Sequence, residues 1–412
     1  MEIHVVQPGE SLYRIAQHYS VPLAAVLSQN ELRDPNRLTP GECILVPTGG
    51  RRYTVRRGDT LTSIAEAQNT TVRQLWRDNP FLMGQDRLSP GQTLYLADGS
   101  AYPAKLVLGG VRPGTDARLL RRMLPHLDYL AVGSFGFDRT GRIPGVHAEI
   151  PVRLARRYGA KPVFVLTTQD ENGQFSGERA HQVLRDTASR ANLIRSVAQH
   201  AAAGGWEGVL LDFEYLPPED RDTLSDFVRA LKAQLSSEKL TLLLALPPKT
   251  HRGQTGLFCE AHDFRALGKA ADLCVLKNTS MALNAPSALA DIGRMSEAVR
   301  YAASVIPAKK LLCCLPSGGL QWLLPWRQGQ HARPLTGAQA AEQAVQVGAP
   351  IRYDEAAQAP HYNFWRSATE QEVWFEDARS YRAKCALAAE YCLGGVAMPN
   401  VTQWYSQLWG II

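Results

Sequence analysis

The chain has 412 residues, 45% of them apolar and 20% charged, with a formal net charge of +6. That is too long for one ordinary core but suits a barrel of about 250–300 residues plus small modules. The mild, diffuse positive charge fits polyanionic surroundings such as a cell wall; with no Lys/Arg cluster interleaved with aromatics, it gives no case for nucleic acid. No apolar run approaches membrane-spanning length, so no membrane contact is expected. The seven cysteines, Cys43, Cys259, Cys274, Cys313, Cys314, Cys385 and Cys392, are odd in number and show no C-x-x-C or zinc-like spacing. They read mostly as small buried hydrophobes in a reducing compartment, with no metal site. Met1-Glu2-Ile3-His4 lacks a basic n-region and an apolar h-region, so no signal peptide is expected.

The first hundred residues repeat themselves. His4-Val5-Val6-Gln7-Pro8-Gly9-Glu10-Ser11-Leu12 recurs as Tyr53-Thr54-Val55-Arg56-Arg57-Gly58-Asp59-Thr60-Leu61. Ile15-Ala16 recurs as Ile64-Ala65, Asn30 as Asn79, and Leu38-Thr39-Pro40-Gly41 as Leu88-Ser89-Pro90-Gly91. Each unit, 1–48 and 51–98, reads strand, helix, helix, strand. Ser11 and Thr60 suit the cap of the first helix, and Pro-Gly marks the turn into the closing strand. The units resemble lysin motif (LysM) modules, which implies binding of glycans that contain N-acetylglucosamine.

From Lys105 onward strands and helices alternate. The predicted strands are Lys105 to Gly110, Tyr129 to Phe135, Pro162 to Leu166, the run from Gly208, Leu240 to Leu246, Asp272 to Leu276, Lys310 to Leu315 and Gly394 to Ala397. Leu224, Phe227, Val228, Leu231 and Leu235 have helical spacing after Pro217-Pro218. Eight buried strands with intervening helices predict an α/β fold, a (β/α)₈ TIM barrel over 101–412. A doubly wound open sheet is the rival, but no Gly-rich phosphate loop follows the first strand. The stretch 321–374 is too long for a simple loop after strand seven and reads as a small α+β insertion.

Gly208-Val209-Leu210-Leu211-Asp212-Phe213-Glu214-Tyr215 ends a buried run in two carboxylates two residues apart. On a strand they share a face, with Cα atoms roughly 6–7 Å apart. At the C-terminal end of a barrel strand, the usual active face, such a pair suits glycosidic bond chemistry. Alone it is weak evidence and reads first as a solvated strand end.

The run, followed by Pro218-Glu219-Asp220-Arg221, resembles the strand-four signature of family 18 glycoside hydrolases. Similar stretches are Ala245-Leu246-Pro247-Pro248-Lys249, Gly256 to Asp263, Ile351 to Pro360 and Val373 to Ser380. With two leading lysin motifs, the chain is most similar to the spore cortex-fragment lytic N-acetylglucosaminidases. The resemblance implies a retaining, substrate-assisted hydrolase that needs no metal or organic cofactor. Glu214 would protonate the glycosidic oxygen and later activate water. Asp212 would orient the substrate's 2-acetamido group, whose carbonyl is the nucleophile. It further implies a peptidoglycan or cortex-glycan partner, a spore-envelope location after synthesis in the mother cell, and action as a monomer.

Some positions depart from the family pattern. Leu210 replaces an acid, which the cortex-fragment subgroup also lacks, and should fill the barrel floor. At the end of strand six, Lys277 and Thr279 replace a Met and a Tyr. An inward Lys277 near Glu214 would favour the ionised carboxylate and weaken a general acid, unless it pairs elsewhere or reaches the rim. Pro399 stands where the family has a Trp floor. Tyr215, Lys277, Asn278, Thr279 and Trp322 are the candidate substrate-binding residues. Trp326, Trp365 and Trp374 could also stack on sugar, although core packing is the plainer role for at least half of the four tryptophans. His262-Asp263 reads first as a structural loop pair. The competing functional reading is a glycan-binding spore-envelope protein with weakened or lost catalysis.

Overall fold

The computed structural model describes residues 1–30, 32, 34–82, 86–96, 106–169, 174–277 and 285–412. Each repeat is a two-stranded antiparallel sheet with two helices. The first pairs Glu2–Val5 with Cys43–Val46 around helices Leu12–His18 and Leu23–Asn30. The second pairs Arg51–Thr54 with Thr93–Leu96 around helices Leu61–Ala67 and Val72–Asp78. Ser11 and Thr60 cap the first helices through the amides of Arg14 and Ser63, as expected from the sequence. The repeated asparagine locks the second helix to the closing strand. Asn30 bonds the main chain of Val26 and Leu45 at 2.7 Å, and Asn79 bonds that of Leu75 and Tyr95 at 2.8 Å.

Eight parallel strands close into a barrel. They are β1 (Val107–Val111), β2 (Tyr129–Phe135), β3 (Lys161–Thr167), β4 (Gly208–Asp212), β5 (Thr241–Leu246), β6 (Leu273–Leu276), β7 (Leu311–Cys314) and β8 (Gly395–Met398). Every strand falls where the sequence places one, with ends displaced by one or two residues; Lys105 lies outside the described residues. Alternation sorts the side chains. Leu108, Val163, Leu210, Leu243, Leu312 and Cys314 fill the interior, while Val209, Leu211, Leu242 and Leu244 pack outward against the helices. Helix Arg221–Ser237 buries Leu224, Phe227, Val228, Leu231 and Leu235, the stripe its spacing predicted.

Between β7 and β8 lies a five-stranded antiparallel sheet. Its order is Arg333–Leu335, Gly319–Leu324, Thr369–Phe375, Ala359–Arg366, Arg352–Asp354, with helix Gly337–Val347 packed on it. The following helix, Ala378–Glu390, carries Lys384, whose ammonium meets Glu376 at 2.8 Å with both side chains fully buried. Six of the seven cysteines are buried and none is in a disulfide; Cys392 is exposed. Among the described residues no helix is long and apolar enough to cross a membrane.

Candidate active site

The strand ladder of β4 ends at Asp212, which pairs with Thr167 of β3. Glu214 lies two residues beyond the strand, yet the alternation persists. Phe213 is 2% exposed and turns outward to stack on Phe227, with ring centroids 5.9 Å apart. Asp212 and Glu214 therefore share the inner side at the C-terminal mouth, above Leu210 in the barrel interior.

Lys277, the residue after β6, stands between them. Its ammonium lies 3.1 Å from both carboxylate oxygens of Asp212 and bonds Oε1 of Glu214 as well. All three side chains are about one-fifth exposed (22%, 18% and 20% for Asp212, Glu214 and Lys277). Burial opposes the lysine charge, but the two carboxylates outweigh it and hold the ammonium above the usual lysine range. Of the alternatives open for Lys277 in the sequence, the structure shows the inward one, with both acids engaged. Cys314, at the end of β7, lines the same interior; burial pushes its thiol up to about 12, which leaves it unreactive.

The strand end is fixed from behind. His262 Nε2 donates to the Phe213 carbonyl at 3.0 Å, between the two acids. Burial pushes this imidazole down to about 4. Lys249, 1% exposed, donates to the carbonyls of Cys259 and His262, each at 3.4 Å. Asp263 caps helix Phe264–Ala270 and pairs with Arg221 at 2.8 Å. The loop pair is structural, as read from the sequence, but its hold on Phe213 was not foreseen. Sequence spacing gives no sign that a residue 49 positions away reaches that carbonyl. Lys249 carried a weak signal: it is a cation directly after Pro247-Pro248, with no acid beside it.

Tyr215 adopts a left-handed backbone (φ 57°), and its half-exposed ring packs on Phe258 at 5.5 Å. Asn278 and Thr279 lie outside the described residues. Trp322 is a correction. It is 1% exposed and packed among Ala288, Ala357, Ala359 and Trp374, so it has no face to offer a sugar. This tryptophan serves the insertion's own core. Trp374 is also buried and stacks on His361 at 4.5 Å. Trp326 is half-buried, while Trp365 is 71% exposed.

A closed parallel barrel with paired carboxylates at the mouth of β4 is an architecture suited to a glycoside hydrolase. Comparison with known proteins makes this specific. The profile for "Glycosyl hydrolases family 18" matches residues 172–403, and that for the LysM domain matches 4–47 and 53–97. The chain belongs to glycosyl hydrolase family 18 and carries two LysM domains. It is 31% identical to the cortical fragment-lytic enzyme of Bacillus anthracis, over 100% of this chain and 97% of that one. The crystal structure of the Bacillus cereus spore cortex-lytic enzyme SleL matches with a TM-score of 0.82 at 31% identity, covering 100% and 97% of the two chains. The Bacillus megaterium SleL structure matches with a TM-score of 0.82 at 28% identity, covering 99% and 96%.

Proposed function

We propose that this protein is a retaining, substrate-assisted N-acetylglucosaminidase acting on peptidoglycan or spore cortex fragments. The observation that carries the reading is the placement of Asp212 and Glu214 on one side of the mouth of β4, within reach of a single ammonium. Glu214 is the general acid that protonates the glycosidic oxygen and then the base that activates water. Asp212 orients the substrate's acetamido group, so that its carbonyl attacks the anomeric carbon, and stabilises the cyclic cation that forms. Both steps occur inside a partly dehydrated mouth, where charges act strongly on each other. The cortex-lytic names of the relatives support the substrate class and a spore-associated location. The LysM domains support delivery to the glycan.

The reading requires an acetamido group on the sugar whose bond is cut. Cortex fragments should release reducing ends, and the same fragments after chemical de-N-acetylation should release them at least ~100-fold more slowly. Equal rates would remove the substrate-assisted mechanism.

The contact of Lys277 with Glu214 favours a second reading: an envelope protein that holds glycan while its catalysis is weakened. An ammonium bonded to the general acid must be displaced before a glycosidic oxygen can reach that carboxyl.

A further inference from the structure

The two repeats fold alike at the turn before their closing strands. Gly41 and Gly91 have φ of 83° and 86°. Their amides donate to the carbonyls of Val6 and Val55, each at 2.8 Å. Glu42 and Gln92 occupy the same position, and their side chains accept from the amides of Thr39 and Ser89, each at 3.0 Å.

The surroundings of the two turns differ. Thr39 is 3% exposed, and its hydroxyl donates to the Ala349 carbonyl at 2.9 Å. The Ile351 amide donates to the Pro40 carbonyl at 2.9 Å, and Arg379 donates to the Gly41 carbonyl at 3.1 Å. A Cβ on Gly41 would lie 1.8 Å from the Ile351 oxygen. Ser89, Pro90 and Gly91 are exposed, and a Cβ on Gly91 would meet nothing within 4 Å.

What fills the first turn is an extended stretch of main chain, 349–351, which presents a carbonyl to the threonine hydroxyl and an amide N–H to the proline carbonyl. A 2-acetamido sugar presents the same two groups. The second turn offers their complements, the Ser89 hydroxyl and the Pro90 carbonyl, to solvent. We propose that the two repeats have different tasks. The first is a docked structural unit whose turn is occupied by the chain's own 349–351 segment. The second alone holds the glycan, through acetamido groups bound at Ser89–Pro90–Gly91. This rests on the glycan reading above and deepens it. The second repeat is itself fixed to the barrel. Arg73 donates to the carbonyls of Pro125 and Leu127 at 2.7 Å and to Asp128 at 3.0 Å, so the tether holds a set position relative to the barrel.

The test uses the full chain on insoluble peptidoglycan sacculi, with N-acetylglucosamine tetramer as the soluble competitor. Ser89→Trp should weaken retention at least tenfold with an unchanged melting temperature. Thr39→Ala should lower the melting temperature and leave retention within twofold. In the unaltered protein, the tetramer should shift the Gly91 amide resonance and not that of Gly41. This readout does not depend on any variant folding. Retention unchanged in Ser89→Trp, equal loss in Thr39→Ala, a shift at Gly41, or displacement by stem peptide in place of the sugar tetramer would each overturn the proposal. If the unaltered protein is not retained at all, the glycan-tethering reading falls with it; if only the variants disagree, that reading stands and this one does not.

Discussion

With its ammonium between Asp212 and Glu214, Lys277 occupies both carboxylates that the proposed reaction needs. Substrate must displace that ammonium from Glu214 before the carboxyl can reach the glycosidic oxygen. Lys277→Met should raise kcat/KM on defined cortex fragments, because the ammonium then no longer holds either acid; an unchanged value would show that the ion pair breaks on substrate binding at no cost. His262 makes a second prediction. Burial holds its imidazole down at about 4 in the folded protein, below the 6.5 of an ordinary histidine. As pH falls through 6.5 the unfolded chain takes up the proton first, so stability drops from about pH 6.5 to pH 4, by about 3 kcal/mol in all. His262→Gln keeps a donor for the Phe213 carbonyl without titrating, and its melting temperature should fall less steeply across that window. Parallel curves for the two proteins would contradict the assignment. Neither effect was legible in full from the sequence. The inward position of Lys277 follows from strand alternation, but its distance to each acid depends on how β4 and β6 face across the mouth.

Secondary-structure elements were the most legible level. β4 could be read because Val209, Leu210 and Leu211 form a continuous apolar run, as expected for a strand buried on both faces. Its end was less clear: pairing stops at Asp212, while the alternation that places Glu214 continues beyond the ladder. Trp322 shows the limit of this level. Composition reveals that the insertion is rich in aromatics, but not which ring turns into its core. The Pro-Gly turns were legible as turns in both repeats, but not as different environments. That difference predicts unequal substitutions. Gly91→Ala should cost only the left-handed backbone penalty, about 1 kcal/mol. Gly41→Ala adds a collision with the Ile351 oxygen and should cost roughly 3 kcal/mol or more. Urea denaturation of the two variants measures both, and equal losses would mean that the first repeat can lift away from the insertion without penalty.

At the scale of the whole molecule, the sequence showed the parts and not their union. Leu45 of the first repeat is fully buried and belongs to the same apolar cluster as the barrel's outer shell. Gln407 donates to the Cys43 carbonyl at 2.6 Å across 364 residues of chain. Trp76 of the second repeat packs on Tyr158 at 5.0 Å. Contacts at such separations leave no local periodicity, so the repeat pattern shows two units but not that both are docked on the barrel. The chain holds two LysM repeats beside a family 18 barrel, and Glu214 is the group the proposed cleavage depends on. Release of reducing ends from defined cortex fragments by the unaltered protein and by Glu214→Gln, measured side by side, addresses this dependence. A loss of about 10²–10⁴-fold in the variant is expected for removal of a general acid and base; equal rates in the two proteins would contradict it.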